Sequence, residues 1–137
     1  MISNEELNRI VIRHSLWLKD DPSGVRADLS NADLRGVNLR GVNLRGVDFI
    51  NSDLSGADLS GANLTLTNFS GANLTEANLC WVNFSGANLS KANLSKANFY
   101  EAYLGNANLN WADLTEANLF TACLYRVNFE YVDLAKL

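Results

Sequence analysis

The side chains with chemical reach are few, and their spacing argues against catalysis. His14 is the only histidine in 137 residues. Without a second histidine or a neighbouring nucleophile it is poorly placed as a general base, so a packed structural role is expected. The acidic residues are distributed along the chain, and no carboxylate pair stands out that would divide acid and base roles. No catalytic residue, cofactor or metal is therefore expected. The stretch LRGVNLRGVNLRG sets Arg35, Arg40 and Arg45 five residues apart and has the look of a basic patch. Six N-x-S/T sequons begin at Asn63, Asn68, Asn73, Asn83, Asn88 and Asn93, all generated automatically by the repeat described below.

The totals bound the answer further. The length is one domain's worth. Net charge is −4 and pI about 4.8, with no basic run of the kind that holds a nucleic acid backbone. Nothing approaches about eighteen consecutive apolar residues, so no membrane span is expected. The opening MISNEELNRIVIRHSLWL interrupts every apolar run with charge, unlike a signal peptide, and a cytoplasmic location is the default.

What must position these residues is a five-letter word. From Ala27 to Lys136 the chain divides into twenty-two pentapeptides without a phase slip. Each is centred on a large apolar residue, from Leu29 every five positions to Leu134: seventeen Leu and five Phe. Two places earlier stands a small residue, and between them lies Asn or Asp, except at Tyr103 and Cys123. A period of five fits neither the 3.6 of a helix nor the 2 of a strand. It fits a chain that turns a corner once per word, pointing the centre and the small residue inward. Such a unit buries its apolar face only by stacking on others. Two places after the centre, Gly or Asn occupies ten words and suits a corner at positive φ. Leu66, Trp81 and Thr121 stand at equivalent places, which suggests that the corner does not strictly demand it.

These residues resemble the pentapeptide repeat family, with its pattern A-(D/N)-L-x-x, over residues 27–136. The resemblance implies an all-β solenoid, a right-handed quadrilateral β-helix with four words per coil. Residues 26–137 would then make about five and a half coils, with residues twenty apart stacked. On a four-sided coil Arg35, Arg40 and Arg45 ring the rod and present no common face, so a nucleic acid partner is not expected. Stacking would place Asp28 over Asp48, Asp33 over Asp53 and Asp113 over Asp133, solvated carboxylates with Arg nearby. Glu76, Lys96, Glu116 and Lys136 would form an ion ladder of alternating sign. Cys80 and Cys123, just over two coils apart, would be beyond disulfide reach.

Residues 1–25 read as a capping helix and linker. Ser3 and Glu6 form a capping box, and Ile2 with Leu7 a hydrophobic staple. Leu7, Ile10, Val11, His14, Trp17 and Leu18 follow at helical spacing, and KDDPSG ends the helix. The stripe is expected to cover the open edge of the first coil, which would otherwise invite aggregation. His14, Trp17, Leu18, Gly24 and Arg26 also match a leader common before bacterial pentapeptide repeats.

Within the repeats and outside the centres, aromatic residues occur only after Leu79: Trp81, Tyr100, Tyr103, Trp111, Phe120, Tyr125 and Tyr131. All stand at outward positions and are expected to form a contact surface for an unknown protein partner. No helix is expected to cover the C-terminal end, so a homodimer through that end is a second expectation, drawn from family members that pair there. Some members resemble DNA in size and charge and bind DNA gyrase, giving quinolone resistance. The repeats here carry seven Lys/Arg against eleven Asp/Glu and no interrupting loop. The reading the sequence favours is a non-catalytic rigid scaffold or interaction module, with gyrase binding as the alternative.

Overall fold

The structure, a computed structural model, describes residues 1–137. One helix, α1 (Asn4–Leu18), precedes a continuous stack of coils, and a short 3₁₀ turn, Leu134–Lys136, ends it. Parallel β-bridges join residues twenty apart without interruption, from Asp28↔Asp48 to Asn108↔Asn128. Four words therefore make one coil. The bridged residue is the one before the centre, so each word contributes a single rung to one side of the rod rather than a long strand.

Backbone hydrogen bonding explains why the word has five letters. In a word such as Ser52–Gly56, the Asp53 N–H donates to Ala32 in the preceding coil, and Leu54 and Gly56 donate to Asn73 and Thr75 in the following one. The next small residue closes the turn, Ala57 N–H donating to the Leu54 carbonyl. The fifth donor, on Ser55, is taken by the Asp53 side chain at 3.0 Å. The same side-chain bond recurs from Asp28 to Asp133, for example Asn73 to Thr75 at 3.1 Å and Asn128 to Glu130 at 2.9 Å. Asp48 is the exception, its carboxylate engaged by Arg26. Asn or Asp thus satisfies a donor that the coil geometry orphans, which would cost about 1–3 kcal/mol if buried; the words of Tyr103 and Cys123 keep the coil without that bond.

The corner does require positive φ, contrary to the expectation from Leu66, Trp81 and Thr121. Their φ values are 57°, 56° and 59°, matching Asn31 and Asn51 at the same position. The turn places its third residue there whatever the side chain. Non-glycine residues accept that strain, roughly 1–2 kcal/mol each, because the bonds on either side fix the corner.

The core is a column of centres and small residues. Leu and Phe centres from Leu29 to Leu114 are buried, and Phe49 stacks on Phe69 with centroids 4.4 Å apart. Ser52 and Thr67, the polar small residues, return their hydroxyls to the carbonyls of Phe49 and Leu64. The last four centres depart from the expected burial: Leu119 and Phe129 are only partly covered, while Leu124 and Leu134 are 37% and 48% exposed. No following coil lies over them.

At the other end α1 takes the place of a preceding coil. Ser3 accepts from the Glu6 N–H at 3.1 Å, Leu7 is buried, and Ile2, Ile10 and Val11 pack against the core. Trp17 is 40% exposed and Leu18 half-buried, so the stripe's C-terminal end stands partly outside. The first coil's unpaired edge finds partners here. Ile2 N–H donates to the Asp33 carbonyl at 3.2 Å. His14, wholly buried, accepts from the Ala27 N–H at Nδ1, 3.1 Å, and meets the Arg45 carbonyl through Nε2, 3.0 Å. Nδ1 faces a donor and Nε2 an acceptor, which selects the neutral Nε2–H tautomer. Arg26 adds bonds to the Gly46 carbonyl and to Asp48, at 2.8 and 3.0 Å.

Burial holds the His14 pKa below its ordinary 6.5 and the Arg26 charge adds to this, against the Arg45 carbonyl, which favours the proton. A pKa lowered by folding means the unfolded chain binds the proton more readily, so stability falls as pH drops below about 6.5. Melting temperature is expected to hold steady from pH 8 to 7 and decline between 6.5 and 5. His14→Gln should flatten that segment of the profile while lowering stability at neutral pH. An unchanged slope in the variant would place the acid sensitivity elsewhere.

Candidate contact surface

The seven outward aromatics do not form one patch. Twenty residues complete a coil, so Trp111 and Tyr131, ten and thirty residues beyond Glu101, stand half a turn away from the corner that carries Trp81 and Glu101. They stack there on each other, centroids 4.4 Å apart and planes 11° from parallel. The remaining five occupy two adjacent faces. Tyr100 stacks under Phe120 at 6.1 Å, and Trp81 meets Tyr100 nearly edge-on, 6.1 Å and 83°. Trp81, Phe120 and Tyr125 remain 58%, 68% and 58% exposed, whereas Tyr100 is partly covered by its neighbours. Cys80, below Tyr100 in the column, is buried, and its thiol is pushed up by that burial.

Tyr103 is a special case. It replaces the Asn or Asp of its word, and its ring lies over Gly105 of the same word. A Cβ on Gly105 would fall 2.6 Å from the Tyr103 hydroxyl and 2.7 Å from its ring carbons. Only glycine lets the ring lie down. Tyr125, above it, carries Arg126 over its ring at 5.2 Å, within cation–π range.

The charged residues sort by the same columns. Asp28 bridges Asp48 and Asp33 bridges Asp53, as expected from the period. Arg35 grips Asp33 through both carboxylate oxygens, at 2.8 and 2.7 Å, and holds its pKa well below the usual carboxylate range. The expected ion ladder forms only its first rung, Glu76–Lys96 at 3.9 Å. Glu116 and Lys136 meet instead through backbone, Glu116 N–H donating to the Lys136 carbonyl at 2.8 Å, where the chain leaves the coil for its 3₁₀ turn. Cys80 and Cys123 are free thiols. No three His, Cys, Asp or Glu side chains gather as a metal site would need, and no helix is long and apolar enough to cross a membrane.

Two features escaped the sequence: the Asn/Asp bond to the donor two residues on, and the bonds by which His14 and Arg26 tie the helix and linker to the first coils. The first was signalled by its own regularity. The second was signalled only by the leader that its residues match, which does not name partners as far away as Arg45 and Asp48.

A solved pentapeptide repeat protein from the Arabidopsis thaliana thylakoid lumen is 30% identical, over 77% of this chain and 70% of that one, with a TM-score of 0.59. Another, from the cyanobacterium Cyanothece 51142, is 25% identical over 93% of this chain and 96% of that one, with a TM-score of 0.66. A plasmid-mediated fluoroquinolone resistance protein is 20% identical over 80% and 79% of the two chains, with a TM-score of 0.37. No curated protein matches the sequence. The family described as Pentapeptide repeats matches in eight copies, at residues 27–65, 62–99 and 92–130. With most of its length accounted for in this way, the chain belongs to the pentapeptide repeat family.

Proposed function

We propose that this protein is a non-catalytic interaction module: a right-handed, four-sided β-helix that holds one protein partner on the aromatic corner of its C-terminal half. The observation that carries this is the exposure of Trp81, Phe120 and Tyr125 on adjacent faces, since exposed aromatic clusters mark interfaces. Their mutual stacking supports the same reading, because a preformed, rigid aromatic surface loses little entropy on docking. Trp111 and Tyr131 lie outside this surface and stiffen the opposite corner. The gyrase-binding alternative gains nothing from a fluoroquinolone-resistance relative at a TM-score of 0.37.

The test is a Tyr100→Ser, Phe120→Ser double variant. Capture of the native partner should be lost, while melting falls modestly, since aromatic neighbours on a sheet contribute up to about 1 kcal/mol. Sedimentation of the same variant reads the second expected association, end-to-end pairing through the last coil, where Leu124 and Leu134 are exposed. That pairing should survive the double substitution. If every association is unchanged and only melting falls, the aromatics are structural.

A further inference from the structure

We propose that Trp81, Tyr100 and Glu101 form a seat for an arginine side chain of the partner, an inference that rests on the contact surface just described. The Trp81 and Tyr100 rings stand nearly perpendicular, 83° apart, giving two walls. Glu101 closes the corner between them: its Oε2 accepts from the Trp81 indole N–H at 3.0 Å, which fixes carboxylate and ring relative to each other. The carboxylate makes no ion pair within the protein, unlike Asp33, Asp48, Asp58 and Glu76. Across the same face Glu116 is also without an ion pair, and Lys96, one coil below it in its column, pairs with Glu76. The Trp81–Tyr100 end of the aromatic strip thus carries carboxylates without an ion pair, while Arg126 lies over Tyr125 at the other end. A cation is the complement of that surface.

Arginine suits the geometry better than lysine. Its planar guanidinium stacks on an aromatic face while forking a carboxylate, and the two demands are met by one group. The Trp81 indole is 58% exposed, so the face is open. Both its position and that of Glu101 are corner residues at positive φ, 56° and 52°. Glycine, which avoids that strain, fills the corresponding corners of the two coils below, Gly41 and Gly61. The corner fixes the backbone at both positions, so the two side chains leave the rod from adjacent coils in one column.

The experiment uses the full chain and a short peptide containing one arginine, compared with the same peptide carrying citrulline or lysine. The indole N–H signal of Trp81 is followed by NMR, assigned through Trp81→Phe. The arginine peptide should shift it saturably and leave the Trp17 and Trp111 indoles unmoved. Glu101→Gln should weaken the peptide about fivefold, as loss of an exposed ion pair predicts, and citrulline should give no saturable shift. Equal binding by citrulline or by lysine, or an unchanged affinity in Glu101→Gln, would overturn the assignment. The two proposals fail separately. If Tyr100→Ser, Phe120→Ser loses the partner but no arginine shift occurs at Trp81, the surface stands and the seat falls. If that variant keeps every association, the surface falls and the seat with it.

Discussion

Replacing Leu74 by alanine is expected to cost about 2–5 kcal/mol of folding stability. The side chain is fully buried and mid-rod, with Leu54 and Leu94 one coil to either side and Ala72 beside it in its own word. Small and large inward residues alternate, so no neighbour is long enough to fill the void. The backbone cannot collapse into it either, because each coil is pinned above and below: the Leu74 N–H itself donates to the Asn93 carbonyl at 2.7 Å. Cavity and transfer terms both apply in full. Leu124→Ala, at the same letter of the word but 37% exposed in the last coil, should cost only about 1–2 kcal/mol, since less apolar area is lost from the interior and no closed cavity is left. Denaturant midpoints at constant slope would measure both. Equal losses would mean that position along the rod does not govern burial, contrary to the exposure gradient of the centres.

The five-residue period made the coil legible before any coordinate, because the inward letters are apolar and the register never slips. What it left unread depends on partners in other coils or on backbone accounting. Leu66, Trp81 and Thr121 suggested a permissive corner, yet a turn closed by hydrogen bonds on both sides dictates φ irrespective of residue type. Asn and Asp recur because they accept from an orphaned donor two residues on, a reason visible only once the other four donors of the word are assigned. The last rung of the expected ladder, Glu116 with Lys136, failed because the chain leaves its register at Leu134. The aromatics were correctly read as outward, but Trp111 and Tyr131 fall on the opposite corner by the same twenty-residue arithmetic that stacks Tyr100 under Phe120. His14 was legible as a packed residue. Its two bonds were not, since they join Ala27 and Arg45 across a fold that the helix alone does not specify.

Gly24→Ala is expected to unlatch the N-terminal helix. Gly24 needs no unusual φ; it needs the absence of a side chain. A Cβ there would lie 2.2 Å from the Trp17 nitrogen, 2.4 Å from its Cα and 2.6 Å from the Leu16 carbonyl carbon. All three are backbone atoms of the last helical turn, which cannot rotate aside as a flexible side chain would. The linker must therefore separate from α1. That movement pulls on the Val25 N–H, bonded to Arg13 at 3.0 Å, and on the Ala27 N–H, bonded to His14. With His14 displaced, the Arg45 carbonyl loses its donor and the edge of the first coil opens to solvent and to other chains. The loss should be at least the 1–3 kcal/mol typical of overpacking, with faster amide exchange at Ala27 and a tendency to aggregate. Gly61→Ala is the control, because its Cβ would meet nothing within 4 Å at φ 68°. It should cost only the roughly 1–2 kcal/mol of a left-handed corner, as Lys91 and Lys96 already tolerate at φ 59° and 58°, and leave exchange at Ala27 unchanged. If Gly24→Ala melts like the native chain with Ala27 still protected, the close approach of linker to helix is not what holds the first coil's edge.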